Sequence, residues 1–154
     1  MNLHIITGNK GFVGSNLTKF LQNENNKIIG VSRTPNGQEI DYDKLNSAFL
    51  NAADSIIHLA GKAHDLKKTS DDAAYFEVNT ELTKRLFDQF LKSDCETFIY
   101  MSSVKAVADQ ADDILTENVI PNPITVYGKS KLAAENYLLS KEIPSTKRVY
   151  ILRP

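Results

Sequence analysis

Tyr127 and Lys131, four residues apart in the stretch ITVYGKSKLAAEN, are a pair that could exchange a proton with a substrate. On a helix that spacing puts both side chains on one face. A free phenol titrates at about 10, too high for a good base at neutral pH. A cation one turn away favours the phenolate. The spacing alone also fits an ordinary surface pair on an amphipathic helix, so the remaining motifs have to decide.

A second constellation lies near the N-terminus, where the apolar run LHIIT leads straight into TGNKGFVGSNL. Gly8, Gly11 and Gly14 are spaced G-x-x-G-x-x-G. Gly8 permits a tight turn off a strand. Gly11 lets backbone approach a diphosphate, and Gly14 lets the following helix pack closely. The free N–H groups at such a helix start, aided by its dipole, suit an anionic diphosphate. Three glycines alone are a weak signal, but after a buried strand and before an amphipathic helix they meet the context that dinucleotide binding requires. The end of the second strand is where an acid commonly holds the adenosine ribose of NAD. Here it reads Ser32-Arg33-Thr34. An arginine with two hydroxyls suits a 2′-phosphate, so the cofactor is expected to be NAD or NADP. The plain alternative for Arg33 is a surface arginine on a loop.

The elements that must position these residues follow from periodicity. Apolar runs predict strands over 3–7, 27–32, 54–60, 97–103 and 148–153, with a short third strand at QEIDY (38–42). Helical spacing predicts helices over 12–24, 43–52, about 72–92 and 127–141. The strands lack polar alternation, as expected when both sheet faces are covered. Strand–helix alternation then predicts an α/β, Rossmann-type, doubly wound parallel sheet of about six strands in a three-layer αβα arrangement. The segment between Arg33 and Asp41 is too short for the usual helix there. The acid-rich loop 108–118 is the expected flexible segment.

The 154 residues suffice for one domain with a core. A hydrophobic fraction of 42%, a charged fraction of 24% and a net charge of −1 give no footprint for nucleic acid or an anionic membrane. No apolar stretch approaches the roughly 20 residues of a bilayer span, and the opening apolar run is too short for a signal h-region and lacks a basic stretch before it, so no signal sequence is expected. A cytoplasmic location is expected. The single cysteine, Cys95, excludes an intrachain disulfide. His58 and His64 have no third partner for a metal, so His58, in a buried strand, is expected to be a packed core histidine and no metal is expected.

Taken in order, TGNKGFVG (7–14), HLAG (58–61), EVNTELT (77–83), YMSSVK (100–105), YGKSK (127–131) and ILRP (151–154) make the chain resemble the extended short-chain dehydrogenase/reductases, the NAD-dependent epimerases and dehydratases. Within that family it is most similar to bacterial nucleotide-sugar 4-epimerases and 4-reductases of polysaccharide synthesis. The resemblance implies that Ser103, Tyr127 and Lys131 are catalytic, Ser103 holding the substrate oxygen within reach of Tyr127. It places Gly8, Gly11, Phe12, Val13 and Gly14 along the diphosphate, with Ser32 and Arg33 at the adenosine ribose. Asp41 and Tyr42 would lie at the adenine, and Leu59, Ala60 and Gly61 alongside the cofactor. Asn79 would steady the active-site strands, while Ser102, Tyr127 and Lys131 would also touch the cofactor. Hydride transfer at sugar C4 follows, as a 4-epimerase or, running half of that cycle, a 4-reductase. Val104-Lys105 stands where dehydratases of the family carry an Asp-Glu pair, which argues against dehydration.

In such enzymes LRP precedes a segment that builds the substrate domain. Residues 1–154 are therefore expected to be an NAD(P)-binding domain without its C-terminal substrate domain. The chain would be half of a nucleotide-sugar enzyme, or else a truncated module that binds NAD(P) without turnover. A homodimer through helices 72–92 and 127–141 is expected.

Overall fold

The computed structural model describes residues 1–63, 71–110 and 114–154. His64 and part of the acid-rich loop lie outside the described residues. Five strands form one sheet: β1 (Leu3–Thr7), β2 (Lys27–Val31), β3 (Ser55–His58), β4 (Thr97–Met101) and β5 (Arg148–Leu152), in the order β2-β1-β3-β4-β5. Pairings β1–β2, β1–β3 and β3–β4 are parallel, with Thr7 opposite Val31 and His58, and His58 opposite Tyr100. The chain winds outward to β2, then reverses to β3 on the other side of β1. That makes a doubly wound, Rossmann-type sheet with its switch point beside β1.

QEIDY is not a strand. Only Ile40 pairs, in a parallel bridge with Val31, its N–H donating to Gly30 O and its O accepting from Ser32 N–H, both at 3.0 Å. Gly37, at φ 62°, turns the chain just before, and Asp41 just after caps a 3-10 turn over Tyr42–Lys44. Extended backbone therefore has no room to continue. The helix expected over 43–52 breaks into that turn and α2 (Ser47–Leu50), because the Asn46 side chain accepts from Phe49 N–H and restarts the helix. Six expected strands thus become five, and residues 33–41 hold no helix.

The chain divides into two compact units. The first comprises Met1–Ala60, Arg85–Tyr100 and Ile143–Tyr150. Here α1 (Phe12–Asn23) lays Leu17 and Leu21 on a cluster of Ile6, Ile28 and Ile57, against which Ile99 also packs. Phe98, adjacent to Ile99 on β4 and so on the opposite face, meets Phe87 edge-on at 5.1 Å and Phe90 at 5.3 Å. Both faces are covered by apolar side chains, which is why the strands read as unbroken hydrophobic runs. β5 differs: its residues alternate between exposed and intermediate.

The second unit comprises Gly61–Lys84, Met101–Glu142 and Ile151–Pro154. It holds α3 (Asp72–Phe76), a π turn over Glu77–Glu81 and α5 (Val126–Leu139). α4 (Leu82–Leu91) continues from the π turn, so the helix expected over about 72–92 is present but interrupted. At the interruption Leu82 N–H reaches back five residues to Glu77 O.

Candidate functional site

In the first unit, Gly8 sits at φ 70°, a left-handed conformation that favours glycine. A Cβ there would stand 2.7 Å from Ala60 N, so β3's exit would be obstructed as well. A Cβ on Gly14 would meet Asn9 Cα at 2.7 Å and Gly8 O closer still. Gly14 therefore serves the fit of α1 onto the turn itself. Gly11 is different. Its N–H donates to Gly8 O at 3.0 Å, and a Cβ would meet only that oxygen, at 3.3 Å. Gly11, Phe12 and Val13 are all exposed. No side chain caps α1, and no acid occupies its first turn. An open, uncapped helix start without a competing carboxylate fits an anionic diphosphate.

Around the turn, the Thr7 hydroxyl bonds His58 Nδ1 at 2.6 Å and accepts from Ala60 N–H at 3.2 Å. His58 is fully buried and stacks on Tyr100 at 5.7 Å. Tyr42 is half-buried, its hydroxyl beside the Thr7 side chain and Gly8 backbone, and burial pushes its phenol up. Asp41 accepts from Asp43 N–H at 3.1 Å as a cap. Ser32 accepts from Thr34 N–H at 3.2 Å, and Arg33 is exposed. Leu59 and Ala60 follow β3 and are partly covered.

In the second unit, Tyr127 and Lys131 occupy successive turns of α5. Lys131 is only 3% exposed, and its Nζ donates to Met101 O at 2.8 Å. Burial lowers its pKa to about 8, with the Glu135 carboxylate pulling the other way. Gly61 lies against this ammonium: a Cβ there would be 3.1 Å from Lys131 Nζ and 3.2 Å from Asn79 Oδ1. Asn79, on the π turn, accepts from Lys62 N–H at 2.7 Å and donates to Lys62 O at 3.0 Å and Ser130 Oγ at 2.9 Å. Gly61, Asn79 and Lys131 are thus brought together, and Asn79 acts by fixing backbone.

Ser103 caps a 3-10 turn (Val104–Ala106) and accepts from Lys105 N–H at 3.3 Å. Gly128 explains how α5 meets that turn. A Cβ at Gly128 would strike Lys105 O and stand 2.8 Å from Pro123 Cβ. A cavity of about 350 Å³ lies against Tyr127, lined also by Ala63, Asp72, Tyr75, Lys105, Thr125 and Val126. Ser102 is 4% exposed and points elsewhere, donating its hydroxyl to the fully buried Glu135.

Two groups of residues went unseen in the sequence. Glu135 accepts from Ser102 and, through both oxygens, from Arg153. Its only signal was the continuing four-residue spacing from Tyr127 and Lys131. Asp109 holds the start of α5. It accepts from Ile124 N–H at 2.6 Å, Thr125 N–H at 3.0 Å and the Thr125 hydroxyl at 2.6 Å. These bonds, led by the Thr125 hydroxyl, keep its carboxyl below the usual aspartate range. Thr125 in turn accepts from Gly128 N–H at 3.1 Å. Asp109 carries no sequence signal, because its partners lie 15 and 16 residues away.

A parallel sheet wound β2-β1-β3-β4-β5, with a glycine turn leaving its first strand, defines the Rossmann-type class. Residues 4–154 match the family described as the NAD dependent epimerase/dehydratase family, and the chain belongs to it. The chain is 31% identical over 153 residues to the GDP-6-deoxy-D-mannose reductase of Pseudomonas aeruginosa, covering 97% of this chain and 50% of that protein. It is 30% identical over 164 residues to a UDP-glucose 4-epimerase of Vibrio cholerae, again covering 97% of this chain and 50% of the relative. Among solved structures, MoeE5 in complex with UDP-glucose and NAD superposes with a TM-score of 0.80 at 25% identity, covering 96% of this chain and 52% of that one. The chain therefore spans about half the length of the curated relatives it matches.

Proposed function

We propose that this chain is the cofactor-binding half of an NAD(P)-dependent nucleotide-sugar 4-epimerase, with Tyr127 as the proton-transfer residue. The observation that supports it most is Lys131: a buried lysine fixed on a backbone carbonyl, one turn after a tyrosine that lines a cavity. The open, uncapped helix start after Gly11 supports cofactor binding independently.

On this reading the N–H groups of Phe12 and Val13 take the diphosphate, Gly11 gives it room, and Gly8 and Gly14 hold the turn and helix that present those groups. Lys131 donates to the ribose hydroxyls of the nicotinamide half. The bound cofactor supplies hydride acceptance and return at sugar C4. Tyr127 removes the C4 hydroxyl proton and gives it back, and Ser103 holds the same oxygen. Lys131, cationic below about pH 8, favours the phenolate in this exchange. Nucleotide-sugar substrates enter by analogy with the relatives' names.

A 4-reductase is the second reading, supported by the 31% identity to a GDP-6-deoxy-sugar reductase. Incubation with UDP-glucose and with a GDP-4-keto-6-deoxy sugar separates the two. Epimerase activity changes C4 configuration with no net consumption of NAD(P)H. Reductase activity consumes one NAD(P)H per product. Cofactor binding with neither conversion, in the intact protein, leaves a binding module and sinks both enzyme readings.

A further inference from the structure

The end of β2 lacks a carboxylate, yet the structure brings one there from the loop that follows. Glu39 precedes Ile40, the residue bridged to Val31 at the end of β2. Its carboxylate accepts from Asn9 Nδ2 at 2.7 Å and from Asn36 N–H at 2.9 Å, and pairs with Lys10 Nζ at 2.8 Å. Asn9 and Lys10 lie inside the glycine turn. Asn9 can lie flat over β2 because position 30 is glycine: a Cβ there would stand 2.7 Å from Asn9 Cγ. Lys10 is held a second time, donating to Thr34 O at 2.9 Å. The Glu39 side chain is 14% exposed, and its hydrogen bond from Lys10 keeps the carboxyl below the usual glutamate range.

Two residues now pull cofactor choice in opposite directions. Arg33 is exposed, and its charge is screened by water and salt. Glu39 is fixed by three partners and neutralises the lysine that a 2′-phosphate would otherwise attract. A fixed, partly desolvated charge acts more strongly than a mobile, solvated one. Resting on the dinucleotide-binding reading above, we propose that Glu39 sets a preference for NAD(H) over NADP(H) by occupying Lys10 at the adenosine-ribose end of the turn. The carboxylate that position 32 lacks is thus supplied from seven residues further along the chain, and NADP, which Ser32-Arg33-Thr34 suggested, is disfavoured.

The test is titration of the 154-residue chain with NADH and with NADPH, followed by cofactor fluorescence, for the wild type, Glu39→Gln, and Glu39→Gln combined with Lys10→Gln. The expected wild-type preference is at least tenfold for NADH. Glu39→Gln should raise NADPH affinity tenfold or more while NADH affinity moves only a few-fold. Removing Lys10 in that background should cancel the gain, because the released lysine is its source. A wild type that binds NADPH as tightly as NADH overturns the proposal, whether or not the variants fold. So does an NADPH-to-NADH ratio unmoved by Glu39→Gln in a variant that melts like the wild type. Absence of binding of either cofactor to the wild type overturns the dinucleotide reading itself, and this inference with it.

Discussion

Lys131 carries opposite consequences for stability and for catalysis. Its folded pKa of about 8 lies below the ordinary lysine value of about 10.4, so folding disfavours its proton. Between those values the unfolded chain binds more protons, and the contribution of Lys131 to stability rises with pH. The penalty relieved is on the order of 3 kcal/mol. Urea unfolding midpoints at pH 7.5 and 9.5 should show this rise, and Lys131→Met should abolish it. On the proposed reading, turnover should fall over the same window, as the Lys131 cation is lost. A rate that instead climbs from pH 8 to 10 would contradict the role given to the charge. Tyr127→Phe should lower kcat by roughly 10²- to 10⁴-fold, the usual worth of a positioned proton-transfer group. Cofactor affinity should stay within a few-fold, because the lost hydroxyl acts on the substrate. The tyrosine–lysine spacing was plain in the sequence. The burial that gives Lys131 its character was not, since it depends on Met101, thirty residues away, and on Gly61.

At the scale of elements, α5 is placed by its first turn. Thr125 caps the helix and Asp109 grips Thr125, so Thr125→Ala should cost about 1 kcal/mol, as lost N-caps do. Asp109 adds acid sensitivity of definite sign. Its folded pKa is lowered, so its contribution is present above the unfolded aspartate value of about 3.9 and is lost as pH falls through the folded value. Asp109→Asn should flatten that acid limb in a thermal melt followed from pH 5 to pH 2. The loss should be specific to the acid side, with little change in slope near neutrality. Strand positions were legible because both faces are covered by apolar side chains, so hydrophobic runs mark them. The failure at QEIDY has a local cause: Gly37 and the Asp41 cap bound the segment so tightly that a single bridge forms. The π turn was not legible, because a one-residue widening leaves the four-residue apolar spacing nearly intact. It falls on Asn79, the residue whose amide ties Lys62 to Ser130.

For the whole molecule, the fold class and the family follow from motifs that span the chain. The two compact units were legible in the sequence to different degrees. The glycine turn is a local device, complete within a few residues of β1. The surroundings of Tyr127 instead draw on Asp72 and Tyr75, neither marked by type or spacing, beside Lys105 of the YMSSVK motif. No described helix is long and apolar enough to cross a membrane. A dimer through helices 72–92 and 127–141 remains a proposal, checked by the mass in light scattering: twice 17.2 kDa supports it and 17.2 kDa refutes it. The central claim is that the turn holding Gly11 binds a dinucleotide diphosphate, and Gly11→Asp tests it most directly. The added Cβ would meet only Gly8 O, at 3.3 Å, a close contact relieved by a shift of a few tenths of an ångström, and the carboxylate would stand at the open helix start. The account predicts saturable, one-to-one NADH binding by the wild type, and at least a hundredfold loss in Gly11→Asp at a melting temperature no lower than the wild type's, since aspartate is a favoured N-cap. Equal NADH affinity in the two proteins, or no binding by the wild type, would contradict it.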